Sequence, residues 1–61
     1  MFAAHLLSRL PDRMREVIEL VYVHDLTHQE VADMMSIPLG TVLSRVSRAR
    51  ARLRDFLLAT A

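Results

Sequence analysis

The 61-residue sequence lacks cysteine and lysine altogether and contains only one glycine and two prolines. Without cysteine, neither a disulfide framework nor a cysteine zinc site can hold the fold together. With Gly40 as the only glycine, a glycine-rich phosphate loop is excluded. A chain of this length buries only about 60% of its unfolded surface, so a deep catalytic pocket is not expected. We predict a single domain, residues 1–61, that is stabilised by helix packing, binds no cofactor and is not an enzyme.

Long hydrophobic runs are also missing. No apolar stretch approaches the roughly 20 residues that span a bilayer, and the N-terminus lacks the basic-then-apolar pattern of a secretion signal. His24 and His28 are spaced like metal ligands on a helix, but Thr27 begins a new helix between them, so no metal site is expected. These absences predict a cytoplasmic protein that contacts no membrane.

Charge is abundant but unevenly distributed. Residues 1–44 carry three arginines and six acidic side chains, a net charge of −3, whereas residues 45–61 carry five arginines and one acidic side chain, a net charge of +4. An acidic front and a basic back predict two surfaces that meet different partners. In the simpler alternative, the charged side chains only keep the helix surfaces hydrated. Arginines near the C-terminus of a helix also interact favourably with its dipole.

Helix signals divide the chain into four segments, at about residues 2–9, 11–23, 28–35 and 38–58. Pro11 suits the first turn of a helix, where its missing N–H costs nothing. Thr27, with Glu30 three residues later, has the pattern of a capping box. Pro38 ends the third segment and opens the fourth. The sequence therefore predicts an all-α bundle of three to four helices, in which a short helix, a tight turn and a long C-terminal recognition helix form a helix-turn-helix.

The long helix separates an apolar face from an arginine-edged one. At 100° per residue, one sector holds the predicted core residues Val42, Val46, Ala49 and Leu53. The opposite face carries mostly small side chains with arginines on its flanks: Gly40, Thr41, Ser44, Ser47, Arg48 and Ala51, flanked by Arg45 and Arg52 on one side and by Leu43, Arg50 and Arg54 on the other. Small outward side chains allow close approach to DNA, so base contacts by Ser44 and Arg48 and phosphate contacts by the flanking arginines are predicted. The alternative occupant of this face is an acidic protein.

Three motifs between residues 10 and 57 carry a family resemblance: Leu10-Pro11 with Arg15 and Val17; Leu26-Thr27-His28-Gln29-Glu30-Val31-Ala32; and Ile37-Pro38-Leu39-Gly40-Thr41-Val42-Leu43-Ser44-Arg45 followed by Arg48-Ala49-Arg50. The sequence resembles the region 4 domain of bacterial sigma factors, in particular the extracytoplasmic-function (ECF) group. The resemblance implies that the third helix of that domain, here the long one, recognises the minus-35 promoter element. It also implies that the flap of the RNA polymerase beta subunit tethers the domain, and that an anti-sigma factor sequesters it.

The resemblance also implies roles for single residues. Ser44 and Arg48 correspond to groove contacts, Thr41 and Arg45 to contacts with the backbone or base edges, and His28 and Gln29 to phosphate contacts. Leu43 departs from the family, which usually has a basic residue there; leucine can instead touch a thymine methyl group or simply cover the flank of the helix. The predicted DNA-binding set is completed by Ser47 and Arg52. Because nothing in the chain could melt the minus-10 element, we expect an excised domain rather than a stand-alone regulator.

The hydrophobic content of 52% is more than the core of so small a bundle can enclose. We expect an exposed apolar patch that binds the polymerase flap or an anti-sigma factor, formed by Leu6, Leu7, Leu10 and Leu57. In the alternative, the first segment folds back and buries Phe2, Leu6 and Leu10 against the long helix. Two rival functions are a pure protein-interaction domain and a stand-alone dimeric helix-turn-helix regulator.

Overall fold

The computed structural model describes residues 2–60, and side chains over residues 5–59. Its helices are α1 (Phe2–Ser8), α2 (Asp12–Ile18), α3 (His28–Met35) and α4 (Leu39–Thr60). Helix α2 continues without a break into a π-helical turn, Glu19–Val23. No strand occurs in the described part of the chain, and the predicted all-α helix-turn-helix architecture is confirmed. None of the helices over residues 2–60 is both long and apolar enough to cross a bilayer.

The two ends of α3 fix the geometry of the helix-turn-helix. At its start, the Glu30 backbone N–H donates to Thr27 Oγ1 at 3.0 Å, and the Thr27 backbone N–H donates to Glu30 Oε1 at 2.9 Å. The predicted capping box is therefore present. At its end, Ser36 adopts a left-handed conformation with φ of 56°, and the Ile37 N–H reaches back to the Ala32 carbonyl at 3.1 Å. This hydrogen-bond pattern ends α3 at Met35. The Pro38 carbonyl then accepts the first backbone hydrogen bonds of α4.

The core lies where α4 crosses α2 and α3. Val17, Val31 and Val42 are completely buried, one from each of these helices. The rest of the core consists of apolar residues from the same helices and from the turn after α1: Leu10, Ile18, Ala32, Val46 and Ala49. Of the predicted core face of α4, only Leu53 is incompletely buried. Because this face is fixed against the other helices, the opposite face of α4 must point outward.

Helix α1 packs against the second half of α4. Leu6 is 8% exposed and Leu10 is 3% exposed, and the Arg9 guanidinium stacks 5.1 Å from the centroid of the Phe56 ring. For Leu6 and Leu10, the structure therefore shows the alternative in which the first segment folds back onto the long helix. The side chain of Phe2, the third residue of that prediction, lies outside the described residues.

Candidate nucleic-acid interface

The outward side of the first half of α4 forms a shallow polar groove of about 430 Å³. We call it the recognition face, and it is lined by Pro38, Gly40, Thr41, Ser44, Arg45 and Arg48. Ser44 and Arg48 are exposed, whereas Thr41 and Arg45 are partly buried beside them. Four of the predicted DNA-binding residues therefore lie together on one surface. A Cβ atom built at Gly40 would meet no described atom within 4 Å, so the surface is open at this residue.

A second groove, of about 560 Å³, runs between the start of α3 and the middle of α4. This α3–α4 groove is lined by His28, Leu43, Val46, Ser47, Arg50, Ala51 and Arg54. The structure thus separates three predicted DNA-binding residues, His28, Leu43 and Ser47, from those on the recognition face. Arg50 and Arg54, two of the flanking arginines predicted to contact phosphates, also line this groove, since their spacing of three and seven residues from Ser47 places them on the same stripe of the helix.

Two further predicted residues lie outside both grooves. Arg52 is exposed on α4. Gln29 is exposed on α3, and its Nε2 donates to Asp33 Oδ1 at 3.0 Å. That bond lies along α3 itself, since the two residues are four apart.

Acidic side chains are absent from the linings of the recognition face and the α3–α4 groove. Asp12 and Glu19 both pair with Arg15 on α2, at 2.7 and 3.6 Å. The Glu30 carboxylate is held in the capping box, where hydrogen bonds from the Thr27 backbone N–H and then its hydroxyl lower the pKa of Glu30. Each groove therefore presents two arginines without an acidic neighbour, which suits an anionic ligand.

A third, apolar groove of about 490 Å³ lies at the other end of α4. This apolar end groove is lined by Leu6, Leu7, Ile18, Tyr22, Val23, Arg50, Leu53 and Leu57. Of the four leucines predicted to bind a partner, Leu57 is 45% exposed, Leu7 is half-buried and Leu6 contributes only its small exposed edge. Leu10 requires a correction: it lies in the core, because the turn after α1 directs it inward, and it offers no surface to a partner.

The sequence prediction missed Tyr22 and Val23, which are 57% and 63% exposed. Both lie in the π-helical turn, where backbone hydrogen bonds join residues five rather than four apart and so change the direction of the side chains relative to an α-helix. No three His, Asp or Glu side chains within residues 5–59 are grouped so that they could hold one metal ion.

The chain is similar to known sigma factors. Residues 6–55 match the family model described as Sigma-70, region 4. The ECF RNA polymerase sigma factor RpoE of Cereibacter sphaeroides is 45% identical over 49 residues, which cover 80% of this chain and 27% of that protein. SigW of Bacillus subtilis is 44% identical over 46 residues, covering 75% and 25%. SigE of Mycolicibacterium smegmatis is 37% identical over 51 residues, covering 84% and 20%.

The chain thus spans a fifth to about a quarter of the length of these relatives. The matched residues nevertheless include α3, the turn after it, α4 as far as Asp55, and the linings of the recognition face and the α3–α4 groove. The predicted resemblance is confirmed, and the chain belongs to the sigma-70 region 4 family, the DNA-binding domains of sigma factors in transcription initiation.

Proposed function

We propose that this chain recognises the minus-35 element of promoter DNA, as region 4 of an ECF-type sigma factor that directs RNA polymerase to promoters. The observation that carries the proposal is the recognition face, where small side chains and two arginines cover the outward side of α4 just after the turn. A major groove of B-DNA accepts one α-helix, and the first residues of the second helix of a helix-turn-helix read the bases. This role belongs to the cytoplasm and needs no catalysis.

Roles for the individual residues follow from their positions. Ser44 and Arg48 are exposed at the centre of the recognition face and are proposed to contact base edges, with Arg48 bonding a guanine through two N–H groups. Thr41 and Arg45 lie beside them and are proposed to contact the sugar-phosphate backbone or adjacent base edges. Arg52 is proposed to contact a phosphate farther along the helix.

The remaining predicted contacts lie along the start of α3 and the flank of α4. His28 and Gln29 begin α3, where the partial positive charge of a helix N-terminus favours phosphate. Leu43 immediately precedes Ser44 in the chain, and Ser47 immediately precedes Arg48. Each therefore lies about 100° around the helix from the residue that follows it. We propose that Leu43 meets a thymine methyl group and that Ser47 contacts the adjacent backbone.

We further propose that the apolar end groove binds a protein partner, namely the flap of the RNA polymerase beta subunit, and that an anti-sigma factor sequesters the domain. The groove lies at the opposite end of α4 from the recognition face, so promoter DNA and polymerase could be bound together. Leu57, Tyr22 and Val23 are the most exposed apolar residues that line it.

Selection from a pool of random DNA duplexes tests the proposal. The purified chain is expected to enrich one short motif and to bind it as a single half-site, and titrations should begin at low salt because phosphate contacts lose affinity as salt rises. Binding that is salt-sensitive but enriches no motif would contradict promoter recognition. It would favour the pure protein-interaction function, with the arginines supplying only general attraction.

Three arginine variants sharpen this test. Arg48→Ala is expected to cost about 1 to 3 kcal/mol of binding free energy and to relax the sequence preference. Arg52→Ala should weaken binding to all sequences alike and reduce the salt slope by about 1. Arg13→Ala is the matched control, because Arg13 is exposed on α2 and lines neither groove near the DNA. An equal loss of preference in Arg13→Ala would remove the assignment of base contacts to α4.

A further inference from the structure

Two large apolar side chains are exposed at the start of α4, the part of a recognition helix that contacts base edges. Leu39, the first residue of the helix, is 40% exposed, and Leu43, one turn later, is 46% exposed. Residues four apart lie on the same side of a helix, so the two side chains form one apolar stripe, which we call the leucine pair. A single exposed leucine is ordinary, but two on one stripe form a surface that a ligand can cover.

The leucine pair borders the recognition face. Each leucine is followed directly by a residue that lines that face, Gly40 after Leu39 and Ser44 after Leu43, about 100° around the helix. The surface is open at Gly40, where an added Cβ atom would meet no described atom within 4 Å. A ligand bound on the recognition face therefore reaches the leucine pair as well.

The same stripe becomes cationic farther along α4. Leu43 lines the α3–α4 groove together with Arg50 and Arg54, which lie roughly 10 and 16 Å beyond it along the helix axis at 1.5 Å per residue. Among the residues that line this groove, none carries a carboxylate. An apolar start followed by a cationic stretch matches the major groove of DNA, where base edges form the floor and phosphates form the rim.

Leucine can distinguish base pairs in the major groove in only one way. Its side chain has neither a donor nor an acceptor, and the apolar group that a base presents there is the 5-methyl group of thymine. The Cβ atoms of residues four apart on a helix are about 5 to 6 Å apart, whereas successive bases rise by about 3.4 Å. The leucine pair therefore spans one to two base-pair steps.

We infer that the leucine pair reads two thymines that lie one or two base pairs apart, with Leu39 and Leu43 each contacting one 5-methyl group while Arg50 and Arg54 hold phosphates at the rim of the same groove. The inference rests on the proposed function and extends it. It adds Leu39 to the residues that read bases, and it specifies the bases that the pair selects.

Replacing single thymines with deoxyuridine tests the inference, because this change removes the methyl group and leaves base pairing intact. The duplex is the one that selection from the random pool enriches, and the protein is the unaltered chain, so no folding defect enters the comparison. Deoxyuridine at either of two thymines, one or two base pairs apart, should raise the dissociation constant about fourfold, the effect of uncovering one methyl group. Deoxyuridine at the other positions should leave the dissociation constant unchanged.

Substitutions in the protein should abolish the two responses separately. Leu43→Ala should bind the thymine duplex less tightly and should lose the response to deoxyuridine at one of the two thymines. Leu39→Ala should lose the response at the other thymine, as expected for two independent pairwise contacts. Both leucines are exposed, so their truncation leaves the core of the domain intact.

Two control variants separate methyl contacts from other effects. Met34 is 62% exposed but lies on α3, so Met34→Ala should retain both responses to deoxyuridine. Arg54→Ala should weaken binding to every duplex alike and also retain both responses, as expected for a phosphate contact.

Three results would each overturn the inference: an enriched motif without such a pair of thymines, deoxyuridine effects at fewer than two of them, or both responses persisting in either leucine variant. Enrichment of one motif in these cases would leave the proposed function intact. Failure to enrich any motif would overturn the inference and the proposed function together.

Discussion

The two halves of α4 have the same regular backbone but different surroundings. In residues 39–49, Val42, Val46 and Ala49 are buried against α2 and α3, and the outward side is polar and cationic. In residues 50–60, Leu53 and Leu57 line the apolar end groove together with residues of α1, α2 and the π-helical turn, and Leu57 and Leu58 are 45% and 69% exposed. One half presents a polar, cationic surface, whereas the other presents a partly apolar one.

The difference supports the proposal that one helix serves two partners. Its periodicity directs Val42 and Val46 inward, and this directs Ser44 and Arg48 outward. Beyond Ala49 the apolar stripe is only partly covered, since Leu53 is partly buried and Leu57 is 45% exposed. We therefore attribute reading of DNA to the half that is rigidly supported, and protein binding to the half that is incompletely covered.

The sharpest test of this division compares two leucine-to-alanine substitutions. Leu10→Ala removes a side chain that is 3% exposed and should lower the free energy of unfolding by about 3 kcal/mol, because it leaves a cavity in the core. Leu57→Ala truncates a side chain that is 45% exposed and should cost less than about 1 kcal/mol. Chemical denaturation followed by circular dichroism measures both. Equal losses would mean that the second half of α4 is as much a part of the core as the first.

Much of the recognition face could be predicted from sequence, because helix periodicity and local capping determine it. The 100° step places Val42 and Val46 on the face opposite Ser44 and Arg48, and the Thr27–Glu30 capping box needs only residues three apart. Both features depend on neighbours along one helix. Both features could therefore be predicted correctly without knowing how the helices pack.

The features that sequence reasoning missed all depend on packing between helices. Leu10 was assigned to a partner surface, but the turn after α1 directs it into the core. The exposure of Tyr22 follows from a π-helical turn, for which the apolar spacing gave no signal. The position of His28 against α4 depends on the angle at which α3 meets that helix. Periodicity identifies the face of a helix on which a residue lies, but not the neighbour that this face meets.

A smaller effect is expected at the turn that leads into the supported half of α4. Ser36 holds φ at 56°, a left-handed conformation that costs residues other than glycine about 1 kcal/mol or more. Ser36→Gly should therefore raise the free energy of unfolding by about 1 kcal/mol, as measured by thermal or urea denaturation. Ser47→Gly is the matched control within α4 and should instead lower it by about 0.5 kcal/mol. Changes of the same sign would show that Ser36 is not strained.

The smallest expected effect is a loss of stability at low pH through Glu30, which belongs to the capping box at the start of α3. Hydrogen bonds from the Thr27 backbone N–H and, to a lesser extent, its hydroxyl hold the pKa of Glu30 below its ordinary value. The stability contributed by the carboxylate is therefore fully present above the unfolded-state pKa of about 4.3. It is lost as the pH falls through the lower pKa of the folded state.

Comparison with Glu30→Gln isolates this contribution, because the amide oxygen can accept the same N–H but does not titrate in this range. The difference in free energy of unfolding between the unaltered chain and Glu30→Gln should be constant above about pH 5 and should shrink below about pH 4. The backbone N–H of Thr27 is the larger cause of the lowered pKa of Glu30. Because Thr27→Ala keeps this N–H, the variant should retain most of the acid dependence. A difference that stays constant down to pH 2 would mean that ionisation of the Glu30 carboxylate adds no stability to the capping box. The contacts of α3 with α4 would then depend on the buried side chains Val31 and Ala32.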